Sequence, residues 1–349
     1  MSGGKIKVLI VDDSALVRRL LSEVISREPD MEVVGVAPDP FVARDKLLAL
    51  HPDVITLDIE MPRMDGLTFL TKLMQHRPLP VIIISSVAQS NCDIAVEAMR
   101  RGAVEVLTKP SGPYSVGDLS ESLPQKIRAA FAARVRTKDN SPKTLPAGPV
   151  EVDAVEFHSG TVIAIGASTG GTQAIEAVLV QMPERCPPIL IAQHIPALFS
   201  ASFASRLNSL CKIEVQEARD GDLVAPGRAL VAPGNFHMML RKSDGIYRVV
   251  VKDGPRVHYQ RPAVDVLFQS VAAANVGHTV GVILTGMGSD GAQGLLRMRE
   301  TGARTIAQDE NSCVVFGMPK VAIEMGAVEQ ILPLSLISGA ILAASRRTH

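Results

Sequence analysis

The stretch Gly166-Ala167-Ser168-Thr169-Gly170-Gly171 breaks an apolar run and is followed by residues at helical spacing. A glycine-rich turn of this kind holds a phosphate, exposes a nucleophile, or only reverses the chain. A dinucleotide site wants G-x-G-x-x-G and an acidic residue about twenty positions further on. Here Ser168 stands where the second glycine belongs, and the region near 190 reads ILIAQHIP, with no acid. A plain strand-to-helix turn stays open on the loop alone. The third reading is a nucleophile elbow, because Gly166-x-Ser168-x-Gly170 matches G-x-S-x-G between a strand and a helix. Small neighbours would permit the turn and leave the Ser168 hydroxyl exposed at a sheet end, where the next helix's N–H groups favour an oxyanion.

A serine hydroxyl needs a positioned base. The next apolar strand ends in Ala192-Gln193-His194-Ile195-Pro196, which places His194 at the same sheet edge. A lone histidine is commonly structural, and His237 and His258 are the nearest rivals for the role. A third strand runs into GVILTGMGSDGAQG (281–294), where Asp290 opens a helix. Asp290 reads either as that helix's N-cap or as the carboxylate that orients His194 and stabilises its imidazolium. The order Ser…His…Asp differs from the Ser…Asp…His of α/β-hydrolases, so the triad roles are expected here without that fold.

A second set of reactive residues lies nearer the N-terminus. Asp12 and Asp13 end the first strand and Asp58 the third, and ligands of open parallel sheets bind at such carboxyl ends. Three converging carboxylates call for a cation, and hard oxygen ligands suit Mg²⁺. Ser85, ending the fourth strand, and Lys109, after the fifth, could hold a phosphoryl group there. Capping of the following helices is the alternative for the aspartates singly, and it weakens for the whole ordered set.

Parallel sheets must position both sets. Apolar strands at 6–11, 32–36, 53–57, 81–85 and 104–107 alternate with helical stretches from Ser14, at 41–50, 67–76 and 93–101, and near 118–136. Residues 134–155 are polar and rich in Pro and Lys, which is linker chemistry. Alternation then restarts with strands at 161–165, 189–193, 213–218, 229–233, 279–285, 304–308 and 329–333. A hairpin pairs 237–241 with 247–251, and helices begin at Ala263 and Asp290 and close the chain. The expected organisation is a domain over 1–136, a linker over 137–156 and a larger domain over 157–349.

Composition agrees with two domains, since 349 residues exceed the roughly 100–200 of one. Hydrophobic residues make up 46 %, enough for two cores, but aromatics are 3 % and Trp is absent, so Val, Ile, Leu, Ala and Met must fill them. With 36 basic and 36 acidic residues the net charge is +0, which gives no global attraction to nucleic acid or an anionic membrane. Cys92, Cys186, Cys211 and Cys313 are scattered and read as free thiols of a reducing compartment. There is no signal-peptide pattern after MSGGKIK and no apolar run of the ~20 residues a membrane span needs, so a cytoplasmic protein without membrane insertion is expected.

The motifs VDDS (11–14), LDIEMPRMDG (57–66), IIISS (82–86) and TKP (108–110) resemble the response-regulator receiver domain over about residues 1–125. The resemblance implies a flavodoxin-like five-stranded parallel fold and a phosphoryl group transferred to Asp58 from a sensor histidine kinase. It implies Mg²⁺ held by Asp12, Asp13, Asp58 and the Glu60 carbonyl, with Ser85 and Lys109 as the switch pair. Receivers often carry a switch aromatic three residues before the lysine, and here that place holds Val106.

The motifs IGASTGG (165–171), QHIP (193–196), VAPGNFHM (231–238), RPAVDVLF (261–268), VGVILTGMGSDGA (280–292) and CVVFGMP (313–319) resemble the catalytic domain of the chemotaxis receptor methylesterases. That resemblance implies a second doubly wound α/β domain with Ser168 as nucleophile, His194 as base and Asp290 as orienting acid. Thr169, Gln193 and the Met287 N–H would shape the oxyanion site. Glutamate γ-methyl esters on chemoreceptor helices would be the substrates, with glutamine deamidation beside them and no cofactor in this domain. With receiver and esterase on one chain, the unphosphorylated receiver is expected to block the Ser168 edge until phosphorylation releases it. A transcription factor would carry a basic helix-turn-helix instead. A module that only sequesters a partner would have no use for the three residues together.

Overall fold

The structure is a computed structural model that describes residues 4–86, 89–109, 113–134, 157–158, 160–274 and 276–347. The chain divides into two compact units, Met1–Ser141 and Pro142–His349. The expected linker at 137–156 lies outside the described residues.

In the first unit the elements are β1 (Ile6–Val11), α1 (Ala15–Ser26), β2 (Met31–Ala37), α2 (Pro40–Leu50), β3 (Val54–Asp58), α3 (Gly66–His76), β4 (Val81–Ser85), α4 (Gln89–Arg100), β5 (Glu105–Thr108) and α5 (Pro113–Phe131). The five strands form a parallel sheet in the order β2-β1-β3-β4-β5. Every residue of β3 and β4 is buried, as a sheet covered by helices on both faces requires. Ser14 caps α1, its side chain accepting the Val17 N–H, while Asp39 and Asp65 cap α2 and α3. Asp12, Asp13 and Asp58 cap none of them.

The second unit is built from β6 (Thr161–Ala167), α6 (Gly171–Leu179), β7 (Ile189–Gln193), α7 (Phe199–Leu210), β8 (Glu214–Glu217), β9 (Arg228–Val231), β10 (His237–Ser243), β11 (Ile246–Lys252), α8 (Val264–Ala273), β12 (His278–Ile283), α9 (Ala292–Glu300), β13 (Arg304–Gln308), α10 (Met318–Glu324), β14 (Gln330–Leu332) and α11 (Leu334–Ser345). Seven strands form a sheet in the order β14-β13-β12-β6-β7-β9-β8, and all its pairings are parallel. β10 and β11 form the antiparallel hairpin, turning through Asp244 (φ 53°) and Gly245 (φ 80°), as a two-residue Asp-Gly turn demands. The chain leaves β6 toward β7 and leaves β12 toward β13, in opposite directions along the sheet. The crevice between the carboxyl ends of β6 and β12 is therefore the switch point where this class of sheet binds ligands.

Helices α7 and α10 have no counterpart with stated limits in the sequence reading. α7 is rich in Ser and Ala and α10 spans only 7 residues, so neither carries a strong apolar period. The four cysteines are free thiols, three of them buried. Burial pushes the Cys186 thiol up to about 12, which leaves it inert as a nucleophile. Among the described residues no helix is long and apolar enough to cross a membrane.

Candidate active site

Ser168 follows β6 directly. Its N–H donates to the Thr285 carbonyl at 3.0 Å, and its carbonyl accepts from the Gly171 N–H at 2.7 Å and from Gln193 Nε2 at 2.9 Å. The turn then passes through Gly170 at φ 76° into α6, a conformation that a residue with a Cβ adopts only with strain. Ser168 is not exposed, as the elbow reading expected, but 4 % accessible. The cause is close approach by two other segments. A Cβ at Gly286 would lie 2.7 Å from Ser168 Cβ, and one at Gly170 would lie 2.5 Å from Val314 Cβ. The hydroxyl thus sits in a recess.

His194 reaches the same place because β6 and β7 pair Ala167 with Gln193, putting Ser168 and His194 next in register. Its N–H donates to the Ala167 carbonyl at 3.1 Å. Its ring Nε2 lies 2.7 Å from Asp290 Oδ2, with both side chains 2 % exposed. With Asp290 ionised, Nε2 carries the proton by assignment from this contact. Nδ1 is then the basic nitrogen, and it is buried without a hydrogen-bond partner. Ser168 Oγ has no partner among the described residues either, so base and hydroxyl are both uncommitted.

Asp290 does not cap its own helix. The N-cap of α9 is Gly291, and the Asp290 carboxylate instead accepts the first N–H groups of α8, from Val264 at 2.7 Å and Asp265 at 2.9 Å. It is an N-cap supplied from another segment, since Ala263 offers α8 no side-chain acceptor. Burial pushes the Asp290 pKa up, but the His194 hydrogen bond and charge and the two N–H donors outweigh it and hold it below 3.8.

The rival histidines are committed elsewhere. His237 is buried, its Nε2 bonded to the Pro255 carbonyl at 2.9 Å and its Nδ1 accepting the Ala263 N–H at 3.3 Å. His258 pairs through Nε2 with Asp265 Oδ2 at 3.0 Å, and Asp265 Oδ1 accepts the Gly294 N–H at 2.6 Å. His258, Asp265 and Asp290 approach closely enough to suggest a metal site. Each carboxylate oxygen there already accepts an N–H, so the cluster is satisfied as a hydrogen-bond network.

The expected oxyanion residues divide. The Met287 N–H has no acceptor among the described residues, and the residue is 37 % exposed, next in sequence to Gly286, which packs on Ser168. Gln193 spends its amide N–H groups on the Ser168 carbonyl and on the His194 carbonyl at 3.2 Å, so it holds the loop rather than facing solvent. Thr169 is buried, and its carbonyl accepts the Thr285 hydroxyl at 3.0 Å. Sequence reasoning did not single out Thr285. Its one signal was a polar side chain closing the apolar run GVILT.

In the first unit Asp12, Asp13 and Asp58 bring carboxylate oxygens within 4.8 Å of one another at the sheet edge. Lys109 Nζ lies 2.6 Å from Asp58 Oδ2 and 3.0 Å from Asp12 Oδ2. Burial, aided by the Asp12 charge and opposed by Lys109, pushes Asp58 up to about 6. Burial likewise raises Asp12, while Lys109 is lowered by burial but raised overall by the two carboxylates. Three carboxylates against one ammonium leave uncompensated negative charge in a hard-oxygen donor set, which fits a divalent cation. Ser85 is buried beside them, its hydroxyl donating to the Ser86 carbonyl at 3.3 Å. The Glu60 N–H donates to Asp58 Oδ1 at 3.2 Å, and the Glu60 side chain accepts from Ser86 Oγ at 3.0 Å. Val106 is buried in β5 and offers no aromatic ring to reorient.

Residues 163–341 match the CheB methylesterase family and residues 8–118 the response regulator receiver domain. A protein-glutamate methylesterase/protein-glutamine glutaminase of Syntrophus aciditrophicus is 57 % identical over 97 % of this chain and 98 % of its own. One of Salmonella typhi is 51 % identical, covering 97 % of each chain. The crystal structure of the Thermotoga maritima CheB methylesterase catalytic domain aligns with a TM-score of 0.52 and 38 % identity, covering 53 % of this chain and 99 % of that one. With its receiver and methylesterase regions in that order, the chain belongs to the protein-glutamate methylesterase/protein-glutamine glutaminase family of response regulators.

Proposed function

We propose that the chain is a phosphorylation-regulated hydrolase that cleaves glutamate γ-methyl esters on chemoreceptor helices, and deamidates glutamines there, by acyl transfer through Ser168. One observation carries the residue assignment: the buried His194–Asp290 contact of 2.7 Å leaves Nδ1 unpartnered on His194, the residue that follows opposite Ser168 in the β6–β7 register. Ser168 Oγ attacks the γ-carbonyl carbon while His194 Nδ1 takes its proton. Asp290, held ionised, stabilises the imidazolium through Nε2–H. The tetrahedral oxyanion faces backbone N–H donors at the start of α6 and at Met287. The C–O bond to methanol then breaks, with the proton returned by His194 to the leaving oxygen. Water, activated by the same nitrogen, releases the glutamate and restores the serine. Ammonia in place of methanol gives the deamidation.

Control enters through the first unit. Asp58 accepts a phosphoryl group from a sensor histidine kinase, with Lys109 and Ser85 placed to bind its oxygens. Asp12, Asp13, Asp58 and the Glu60 carbonyl would hold a divalent cation, Mg²⁺ in this reading, which would supply charge neutralisation for the incoming phosphoryl group. The protein works beside its kinase and receptors in the cytoplasm.

Methanol release from methylated receptor fragments tests the reading, comparing the full chain with Ser168→Ala, each with and without a small-molecule phosphodonor. Release that vanishes with the hydroxyl and rises on phosphorylation is expected. Release that survives Ser168→Ala moves the chemistry elsewhere, and no release under either condition favours a binding module.

A further inference from the structure

Thr285 ends the strand run that brings the Asp290 loop to the site, and it is 1 % exposed. Its hydroxyl donates to the Thr169 carbonyl at 3.0 Å and accepts the N–H groups of Val314 at 3.1 Å and Val315 at 3.0 Å. One proton and two lone pairs are thereby used, the nearby Val315 carbonyl at 3.2 Å being the weaker acceptor. The Thr285 N–H goes to Gln308 Oε1 at 2.9 Å, and its carbonyl takes the Ser168 N–H. One buried residue therefore ties the nucleophile loop to the 314–315 segment that packs on Gly170.

The consequence is directional. A trans peptide is planar, so fixing its carbonyl fixes where its N–H points. Gln193 fixes the Ser168–Thr169 peptide through the Ser168 carbonyl, and Thr285 fixes the Thr169–Gly170 peptide through the Thr169 carbonyl. Both N–H groups of the elbow are aimed by these two side chains. We infer that Thr285 is a positioning residue for acyl transfer: its hydroxyl holds the Thr169–Gly170 peptide in the geometry the transition state requires, and serves rate rather than substrate binding. The inference rests on Ser168 being the nucleophile.

The test uses the full chain, its Thr285→Val, Thr285→Ser and Thr285→Ala variants, and Ser168→Ala in parallel, with methanol release from methylated receptor fragments. Thr285→Val keeps the volume and removes the hydroxyl. It should lower kcat about 100-fold, the cost of a reacting group displaced by about 1 Å, with KM within about 2-fold. Thr285→Ser keeps the hydroxyl and should recover most of that rate. A purely structural role would not separate kcat from KM, and recovery by serine shows that the hydroxyl rather than the side-chain volume carries the effect. Unchanged kcat in Thr285→Val, a KM effect without a kcat effect, or a serine variant as slow as the valine one overturns the inference. If the valine variant does not fold, Thr285→Ala against Thr285→Ser carries the same comparison. Activity surviving in Ser168→Ala sinks the nucleophile reading itself. A silent Ser168→Ala beside a fully active Thr285→Val sinks only the role of Thr285.

Discussion

Asp290 Oδ2 is shared between His194 Nε2 and the Val264 N–H, each at 2.7 Å, so one carboxylate oxygen both orients the His194 ring and caps helix α8. Every group around this carboxylate is a donor. An amide in its place would present N–H to at least one of them. Asp290→Asn is therefore expected to drive the His194 proton from Nε2 to Nδ1, the nitrogen proposed to accept from Ser168. Methanol release should fall about 10⁴-fold in kcat, the known cost of imposing the wrong tautomer on a triad histidine. Activity within tenfold of the unsubstituted chain would mean that His194 is not oriented through Nε2.

The same carboxylate sets a pH dependence. Burial alone would raise the Asp290 pKa, but His194 and the two N–H donors leave it below 3.8 in the folded chain. The unfolded chain then binds more protons between the two values. The stabilisation is thus complete above 3.8 and is lost as pH falls through the lower folded value. Hydrogen exchange of the β6 and β12 amides, corrected for intrinsic rates, reads this for the second unit alone. The protection gap between the chain and Asp290→Asn should hold steady from pH 7 to about 5 and shrink below about 4. A gap that widened on acidification would contradict the depressed pKa.

Much of this site was legible beforehand, for physical reasons. Strand ends in a parallel sheet are marked by where an apolar run stops, and Ser168, His194, Asp58 and Lys109 each stand at such a stop. Contacts that act through backbone were not legible. The acceptors and donors that hold Ser168, among them the Thr285 carbonyl and the Gln193 amide, join residues far apart in sequence and leave no periodic trace. Asp290 shows the limit most clearly, because the capping rule was right in kind and wrong in the helix it pointed to. The burial of Ser168 was missed likewise, since it arises from Gly286 and Val314, more than a hundred residues away.

Close packing behind Ser168 predicts intolerance at Gly171. A Cβ there would lie 2.1 Å from Gln193 Oε1 and 2.6 Å from Ala167 Cβ. Gln193 must swing away to admit it, giving up its bond to the Ser168 carbonyl. Gly171→Ala should cost about 1–3 kcal/mol of stability as overpacking. It should also lower kcat for methanol release more than it changes KM. Gly254→Ala is the control, since its Cβ would meet only the His237 ring at 3.4 Å. Equal effects of the two substitutions would show that the Gln193 contact does not matter.

The aspartate cluster of the first unit predicts how phosphorylation depends on charge and metal. Asp12 and Asp58 are each 1 % exposed and share one ammonium, Lys109, so a further cation is required before a phosphoryl group can approach two buried carboxylates. Incubation with acetyl phosphate and Mg²⁺, followed by intact mass measurement, should add one phosphoryl group to the chain. Asp58→Asn removes the acceptor oxygen and should abolish the added mass. EDTA should abolish it in the unsubstituted chain as well, because the cluster then lacks the charge that offsets the incoming phosphate. Asp13→Asn lies between these cases: it removes one carboxylate of the set but leaves Asp58 and Lys109 paired, so labelling should persist and need more Mg²⁺. Labelling that ignored EDTA, or that survived Asp58→Asn at full extent, would place the phosphoryl acceptor outside this cluster.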